Sequence, residues 1–530
     1  MGDLLDDYQS TTWDEMFEAP GVPRRAWVSL CESLQALSED DFKRRCTARD
    51  RVFRDQGITF SFSGEEQPFA LDLVPRIISA DEWAVLESGV AQRVRALEAF
   101  LDDVYGVGQI LADGVVPTPM VTSSTHFHRP ACGVAPPNGV RVHVAGIDVV
   151  RGDDGTFCVL EDNLRTPSGI SYMVESRRTM SRVFPELFAS HRVRPVDSYP
   201  ARLLEALRAA APTGSPDPTV VVLTPGVYNA AYFEHTFLAH QMGVELVEGR
   251  DLVCRHNTVY MRSTTGEQRV DVVYRRVDDD YLDPLQFRTD SVLGCPGILN
   301  AARAGNVAIA NAVGNGVADD KLVYTYVPDM IRYYFGEEPV LPNVTTYRLE
   351  DPDQLAFVLG RLDRLVLKPV DASGGKGLLI GAAASDEELT QVEDAIVAHP
   401  RGWIAQEIVQ LSTAPTWIGD RLRPRHLDLR PFAVNDGERV WVVPGGLTRV
   451  ALPEGSLVVN SSRGGGSKDT WVLAGDGERP PPAAAVATEP GTATATGVEP
   501  QVGPRPDTGP AVAQAAQQQQ AMAAAVGSPC

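Results

Sequence analysis

The stretch LVLKPVDASGGKGLLIG, residues 365–381, determines how the rest of the sequence is interpreted. Glycines let backbone amides approach an anion closely, and lysines supply positive charge. In a Walker loop, Ser or Thr follows the lysine and a helix begins, whereas here LLIG follows and predicts a second strand. We therefore expect the tip of an antiparallel hairpin that closes over phosphate groups; a glycine-rich surface hairpin is the simpler alternative. The residues that would surround phosphate are Lys368, Gly374, Gly375, Lys376 and Gly377.

Composition places the chain among ordinary globular proteins. It has 530 residues, of which 22% are charged and 43% hydrophobic, and its formal net charge is −22. Without a strongly basic block, so acidic a chain is a poor partner for a nucleic-acid backbone. The seven cysteines are scattered with no CxxC pair, and no apolar run approaches the roughly 18 residues of a membrane span. We expect a cytoplasmic protein with free thiols and with neither nucleic-acid nor membrane partners.

Changes in hydrophobic pattern divide this α/β sequence into five segments. Residues 1–120 are predicted to be mostly helical, because ADEWAVLESGVAQRVRALEAFLDDVYG repeats apolar residues every three or four positions. Residues 121–180 contain two strands of period two, VRVHVAGIDVV and GTFCVLED, joined by the turn RGDDG. Residues 181–320 alternate strand and helix, which predicts a small doubly wound parallel sheet. Residues 321–474 return to strands, and residues 475–530 are rich in Pro, Ala and Gln, which predicts a disordered tail.

Candidate metal ligands lie in the upstream hairpin, GIDVVRGDDGTFCVLEDNLRTPSGIS. Asp148 falls on the first strand, and Glu161 and Asn163 fall on the second. Residues two apart in a strand share a face, so Glu161 and Asn163 would point the same way with Asp148 across the hairpin. Such an oxygen-rich cup suits a hard cation such as Mg²⁺. A polar hairpin with solvated carboxylates is the simpler alternative.

The order of the downstream motifs resembles that of the ATP-grasp family. That order is a lysine in ADDKLVYTY, a strand in LPNVTTYRL, a second lysine in LVLKP, a glycine-rich loop and the QE pair of IAQEIV. An ATP-grasp domain ordinarily ends with an Asp and a Glu-x-Asn pair on neighbouring strands, and here that ending lies upstream. The chain therefore resembles the circularly permuted ATP-grasp type 2 family over about residues 12–473. WDEMFEAPGVPR, PGVYNAAYFEHTFLA, YRRVDDDYLDP, GNGVADDK and SSRGGGSKDTWVL add to the resemblance.

The resemblance implies a circularly permuted ATP-grasp fold and a role for each motif residue. Residues 121–180 would be the metal-binding segment, 181–320 a pre-ATP-grasp-like unit and 321–474 the nucleotide-binding segment. Residues implied to bind ATP are Lys321, Lys368, Gly374, Gly375, Lys376, Gly377, Gln406 and Glu407. Residues implied to bind Mg²⁺ are Asp148, Glu161 and Asn163, and the implied catalytic residues are Arg430 and Arg449. Residues expected to bind substrate are Arg165, Ser168, Asn229, Arg275, Arg463 and Lys468.

Several of the substrate assignments have plain structural alternatives. In so acidic a chain, Arg449 and Arg463 could simply pair with surface carboxylates. Asn229 lies at a strand-to-helix turn, where α/β sheets usually bind ligands, and Arg275 precedes three aspartates in YRRVDDDYLDP; a buried ion network is an equal alternative for this region. His126 and His128 in THFHRP have no third metal ligand nearby in sequence, so we interpret them as loop histidines.

The family resemblance implies an ATP- and Mg²⁺-dependent carboxylate–amine ligase that forms an amide or peptide bond. Such enzymes phosphorylate a carboxylate, and an amine then displaces phosphate from the acyl phosphate. The substrates would be small-molecule or peptide carboxylates and amines, and peptide-processing proteins are the partners that the family implies. A non-catalytic ATP-binding regulatory or scaffold protein is the alternative from another class. A dikinase-type phosphotransferase would need a phosphocarrier histidine, and no histidine lies in a recognisable motif of that kind.

Overall fold

The structure is a computed structural model that describes residues 4–6, 8–62, 65–212, 215–371, 377–457, 459, 465–475, 514 and 517–519. Its α-helices are α1 (Val28–Gln35), α2 (Glu39–Asp55), α3 (Ala80–Tyr105), α4 (Gln109–Ala112), α5 (Thr118–Thr122), α6 (Ile170–Val183), α7 (Pro185–Ser190), α8 (Tyr199–Ala209), α9 (Tyr232–Met242), α10 (Asp279–Leu282), α11 (Ile298–Arg303), α12 (Lys321–Tyr324), α13 (Val327–Phe335), α14 (Pro352–Leu359) and α15 (Asp386–Ala398). Its strands are β1 (Phe17–Ala19), β2 (Val22–Pro23), β3 (Thr59–Phe62), β4 (Glu65–Pro68), β5 (Leu71–Ile78), β6 (Val144–Arg151), β7 (Phe157–Asn163), β8 (Val220–Leu223), β9 (Glu245–Val247), β10 (Leu252–Arg255), β11 (Thr258–Ser263), β12 (Gly266–Arg269), β13 (Val272–Arg275), β14 (Ala308–Ala310), β15 (Thr346–Arg348), β16 (Leu365–Pro369), β17 (Leu379–Ile380), β18 (Trp403–Glu407), β19 (Thr413–Ile418), β20 (Arg421–Arg430), β21 (Phe432–Asn435), β22 (Val440–Val442), β23 (Leu447–Val450) and β24 (Gly466–Val472). Among the described residues, no helix is long and apolar enough to cross a membrane.

One large sheet brings early and late parts of the chain together. Its strands run in the order β22-β21-β6-β20-β23-β24-β5, with β7 paired to β6 and β19 paired to β20. Strand β6 lies between β20 and β21, which follow it by almost three hundred residues (421 − 144 = 277). This placement is what a circular permutation requires, because the upstream hairpin completes a sheet built from downstream strands.

The N-terminal region also contributes to this sheet. Its helices occur where apolar periodicity predicts them, but residues 71–78 form the fully buried strand β5, which pairs in parallel with β24. A region that we expected to be mostly helical thus supplies one edge of the main sheet.

The hairpin of β6 and β7 sets the directions of the candidate metal ligands. The two strands are antiparallel, as predicted, and their register places Asp148 opposite Glu161. The pairing then shifts by one residue, since Val149 lies opposite Val159. Asp162, between the two candidate ligands on β7, points to the other face, where Arg93 of α3 binds it.

The segment after the hairpin contains the predicted parallel sheet. Strands β14-β13-β8-β9 are parallel neighbours, and α9 ends at Gly243 with a positive φ of 67°. The stretch VELVEGRDLVC forms two strands: β9 and β10 are separated by a turn at Gly249–Asp251, and β10 joins an antiparallel sheet with β11 and β12.

The nucleotide-segment sheet has the strand order β15-β18-β16-β17. Strands β16 and β17 form the antiparallel hairpin that the glycine-rich stretch predicts. Gly377 ends the loop with a φ of +67°, and a Cβ there would lie 2.9 Å from Cγ of Pro369, so glycine is required at this position. Gly374, Gly375 and Lys376 lie outside the described residues.

Helix α3 fixes the back of the hairpin. Its apolar stripe is buried, and a capping box between Ser79 and Glu82 begins the helix. From the same helix, Arg93 donates two hydrogen bonds to Asp162, of 2.6 and 2.7 Å, and a third of 2.8 Å to Asn343. Asn343 lies just before β15, so one arginine connects the large sheet to the entry of the nucleotide-segment sheet.

We expect Arg93→Ala to lower the free energy of unfolding by about 3 kcal/mol, because it leaves the buried Asp162 carboxylate without its partner. The matched control is Arg95→Ala on the same helix, whose ion pair with Glu337 is about half exposed on both sides and should contribute less than about 1 kcal/mol. Urea denaturation of both variants measures the difference. Equal losses in the two variants would contradict the anchoring role of Arg93.

Candidate functional site

A cleft joins residues that are far apart in the sequence. The upstream hairpin and its exit loop provide one wall, and the residues around the first lysine and the start of the glycine-rich loop provide the other. The lining residues are His126, Glu161, Asn163, Arg165, Thr166, Pro167, Asp319, Lys321, Val370 and Asp371. The cleft therefore contains two of the three predicted metal ligands and one of the two predicted phosphate lysines.

Glu161 and Asn163 suit a magnesium ion in their donor chemistry. Both line the cleft from alternate positions of β7, as the strand period requires. The side-chain oxygen of Asn163 is the atom that could bind the ion; its side-chain nitrogen is buried with no hydrogen-bond partner in the described part of the chain and could donate to an acceptor such as a phosphate oxygen. Within the described ranges no three His, Cys, Asp or Glu side chains are grouped closely enough to hold an ion. Phosphate oxygens would have to complete the coordination, as is usual for Mg²⁺.

Asp148, the third predicted metal ligand, is bound by both predicted catalytic arginines. Arg430 donates to both carboxylate oxygens, with its Nη2 at 2.8 Å, and Nη2 of Arg449 donates to the carboxylate at 2.9 Å. Burial opposes the charged form, but the two guanidinium groups outweigh it and lower the pKa of Asp148 to about 2. Asp148 is thus a charged anchor for two cations, and any bound ion would share its oxygens with them.

Local backbone geometry allows this arrangement. A Cβ on Gly146 of β6 would lie 3.0 Å from Pro167 and 3.2 Å from Cδ of Arg430, so the glycine leaves room for the arginine to cross the strand. Arg449 lies opposite Asp428 in the pairing of β20 with β23 and also binds its carboxylate.

Lys368 lies on β16, two residues before Val370, which lines the cleft. It is buried on β16 and donates to the side-chain oxygen of Gln406 on the neighbouring strand β18. Burial lowers its pKa to about 8, the Glu161 carboxylate acts to raise that pKa, and the Lys321 ammonium lowers it further. These influences place both lysines and the metal-strand glutamate within electrostatic range of one another. At pH 7 Lys368 is still mostly charged, as a phosphate-binding lysine must be.

The predicted QE pair divides between two faces. Gln406 faces Lys368, and its amide nitrogen donates to Thr346 at 2.9 Å. Glu407 points the other way, where it accepts from Tyr347 at 2.7 Å and from Arg361 at 3.2 Å. The side chain of Gln406 is therefore part of the site, and that of Glu407 is not directed toward Lys368.

Arg165 belongs to the cleft, together with two residues that sequence reasoning missed. Its guanidinium donates to Asp319 at 2.9 Å and to Asp278 at 3.0 Å. Burial raises the pKa of Asp319 to about 6, although Arg165 and the Leu164 amide oppose the shift. Burial and the neighbouring Arg165 lower the pKa of His126 to about 4.

The stretches GNGVADDK and THFHRP contain these missed residues. The first was considered only for its lysine, although Asp319 lies two residues before Lys321. His126 has no pattern around it that predicts its position in the cleft.

Other predicted substrate residues lie in buried structural networks. Arg275 donates to the backbone carbonyls of residues 277, 311 and 312, and it also pairs with Asp279. Ser168 accepts from Arg276 at 2.6 Å, and Arg276 also pairs with Glu234. Here the alternative of a buried ion network describes the structure.

The remaining predicted substrate residues do not line the cleft. Lys468 is a strand residue of β24, and its ammonium donates to Asp72 and to the carbonyls of Val74 and Pro415, which uses all three of its N–H donors. It therefore cannot serve at an active-site rim, as its glycine-rich flank suggested. Asn229 accepts from the Ala231 amide in its own turn, and Arg463 lies outside the described residues.

Comparisons with known proteins identify the family of the chain. A family described as circularly permuted ATP-grasp type 2 matches residues 75–451. An uncharacterised protein of Mycobacterium tuberculosis is 62% identical over 92% of this chain and 87% of its own length. A Frankia casuarinae protein provisionally named glutamate–cysteine ligase 2-2 is 50% identical over 88% of this chain, and the match spans 54% of that protein. The structure of a glutathione synthetase-like effector from Globodera pallida aligns with a TM-score of 0.53 at 13% identity, over 82% of this chain and 97% of its own. That last similarity supports the fold alone.

The closeness of Lys368 and Glu161 can be tested without any ligand. Because Glu161 acts to raise the pKa of Lys368, Glu161→Gln should move that pKa below its value of about 8. The matched control is Glu407→Gln, whose carboxylate faces Arg361 on the other side of β18 and should leave the pKa of Lys368 unchanged.

Carbon-13 NMR of ε-labelled lysines measures this pKa, with Lys368→Arg identifying the signal. Assignment is practical because the chain has few lysines, namely Lys43, Lys321, Lys368, Lys376 and Lys468. A Lys368 pKa that is the same in wild type and Glu161→Gln would show that the two segments do not form one site.

Proposed function

Because the chain belongs to the circularly permuted ATP-grasp type 2 family, we propose that it is an ATP- and Mg²⁺-dependent carboxylate–amine ligase. The observation that carries the proposal is that Glu161 and Asn163 line one cleft with Lys321, while Lys368 lies near enough for Glu161 and Lys321 to act on its pKa. Those residues come from opposite ends of the permuted domain, and a merely structural hairpin would not require them to converge.

The lysines and the amide of Gln406 would hold the nucleotide. Lys368 and Lys321 supply positive charge on the side of the cleft where the glycine-rich hairpin begins. Two ammonium groups beside a triphosphate offset its charge as point charges. Gln406, held by Lys368 and Thr346, is oriented before any ligand arrives.

Glu161 and Asn163 would hold the metal. When bound, Mg²⁺ neutralises the charge that develops on the transferred phosphoryl group. The side-chain oxygen of Asn163 would bind the ion, and its buried, unpartnered nitrogen could donate to a phosphate oxygen. The Arg93 pair behind β7 would keep both side chains directed into the cleft.

Arg430 and Arg449 would provide cationic charge for acyl transfer. In-line attack of a carboxylate on the γ-phosphate gives an acyl phosphate and ADP, and attack of an amine then expels phosphate through a tetrahedral oxyanion. Positive groups fixed beforehand stabilise such charge best. Asp148 fixes both arginines, so its role in the proposal is to position these cations as well as to contribute to the ion site.

The named relatives support the same class of reaction. Glutamate–cysteine ligation joins a carboxylate to an amine. The Frankia protein that bears this name matches 88% of this chain. We extend the class of reaction to this chain, with a small molecule or a peptide as the carboxylate substrate.

The proposal predicts ADP release that depends on both an acceptor and both walls of the cleft. We would measure ADP from Mg·ATP with pools of amino acids, short peptides and polyamines, and would trap acyl phosphate with hydroxylamine. Lys368→Ala and Glu161→Ala should each lower the rate at least a hundredfold. The first variant removes a positive charge beside the phosphates, and the second removes a ligand of the ion that neutralises them. Arg95→Ala, on the exposed face of α3, is the control and should keep the wild-type rate.

Tight ATP binding without ADP release from any pool would favour a regulatory ATP-binding protein and count against the ligase. Full activity in Glu161→Ala would exclude the upstream hairpin from the site.

A further inference from the structure

Part of the Gln-rich tail contacts two loops of the pre-ATP-grasp-like unit. Gln518 and Gln519 are each only 6% exposed, whereas their neighbour Gln517 is exposed. Of the loops that receive them, residues 226–228 follow β8 directly, and residues 290–292 lie after α10 in the connection from β13, the parallel neighbour of β8, to α11. Ligands of open α/β sheets bind outside the carboxyl ends of the strands, and the tail contact at residues 226–228 occupies such a place.

The contact of Gln518 recognises a primary amide. Its side-chain oxygen accepts from the Val292 backbone N–H at 2.8 Å, and its side-chain nitrogen donates to the carbonyl of Asp290. Gln514 donates to the same carbonyl at 3.0 Å. A glutamate at position 518 would lose the donor and place a carboxylate against a carbonyl oxygen, so this pair of backbone groups discriminates glutamine from glutamate.

Gln519 binds the neighbouring loop at a glycine. Its oxygen accepts from the Tyr228 backbone N–H at 3.3 Å, and its side-chain nitrogen would lie 2.6 Å from a Cβ on Gly226. Gly226 has a φ of +114°, which residues other than glycine rarely adopt. The glycine thus opens the backbone to a close approach by the amide.

The connection between Gly475 and Gln514 is too long to restrict the tail to this position by itself. The 38 residues between Gly475 and Gln514 could span more than about 100 Å if extended, so the tail could reach many other surfaces. Apolar side chains border the two loops, with Val227 59%, Tyr228 55% and Val292 38% exposed. The polar amide contacts therefore lie beside exposed apolar side chains, which are a feature of interaction surfaces.

We propose that the loops at residues 226–228 and 290–292 form a glutamine-recognition surface whose ligand is the chain's own tail segment around Gln518 and Gln519. Backbone N–H and C=O groups of the two loops bind the side-chain amides. The tail is thereby an intramolecular peptide ligand on the ligand-binding edge of the parallel sheet. This inference does not depend on the proposed ligase activity.

Hydrogen–deuterium exchange of the full-length protein tests the contact directly. In Gln518→Ala/Gln519→Ala, the backbone amides of Tyr228 and Val292 lose their acceptors and should exchange at least tenfold faster than in wild type. The matched control is Gln517→Ala, which changes an exposed glutamine in the same run and should leave both loops protected. Unchanged exchange in the double variant would overturn the proposal.

A labelled peptide with the sequence AVAQAAQQQQAMAA, residues 511–524, provides a second test. It should bind the full-length double variant at least tenfold more tightly than wild type, because the chain's own tail competes in wild type. The same peptide with Glu at the positions of Gln518 and Gln519 should bind at least tenfold more weakly to the double variant. Equal binding of the peptide to wild type and variant, or of the two peptides to the variant, would contradict a glutamine-specific surface.

Discussion

The site depends on the ion pairs that the Asp148 carboxylate forms with two arginines. The carboxylate belongs to the upstream hairpin, and the two arginines that bind it belong to β20 and β23, almost three hundred residues later. A buried carboxylate held by two guanidinium groups stays ionised at any physiological pH, and removing any member would leave an unpaired charge in the interior. Although the order of the chain is permuted, the charged centre of the large sheet therefore combines a residue of an early strand with residues of two late strands.

The same hairpin serves two faces at once because of strand alternation. On one face, Glu161 and Asn163 enter the cleft; on the other, Asp162 is held by Arg93 of α3. The anchoring residue Asp162 is thus adjacent along β7 to the two predicted metal ligands but lies on the opposite face, so they do not compete for space. Lys368 belongs to the nucleotide-segment sheet, and the Glu161 carboxylate of β7 is near enough to act on its pKa.

Local patterns predicted those parts of the fold that local physics controls. The stripe of α3 and the β6–β7 hairpin both follow from spacing within a short window. Strand β5 was missed because Asp72, Pro75 and Arg76 interrupt its apolar pattern, and its partner β24 lies about four hundred residues away.

In the site, the order of motifs predicted the convergence of Glu161 with the lysines, but residue type alone could not separate ligand-facing cations from structural ones. Lys468 and Arg275 look like binding residues in sequence, yet all three ammonium donors of Lys468 are used inside the sheet, and Arg275 is held by backbone carbonyls. Asp319 entered the cleft through a long-range ion pair with Arg165, and no local pattern reports such a pair.

The central claim is that one ATP·Mg²⁺ site is built from both ends of the permuted domain, and the magnesium dependence of ATP binding tests it most directly. Calorimetric titration of ATP at a series of Mg²⁺ concentrations should show that Lys368→Ala weakens binding at every concentration, since the lysine acts on phosphate. Glu161→Ala should instead raise the Mg²⁺ concentration needed for tight binding and leave metal-free ATP binding unchanged. If Glu161→Ala binds ATP as wild type does at every Mg²⁺ concentration, the upstream hairpin is not the metal-binding part of the site and the account is wrong.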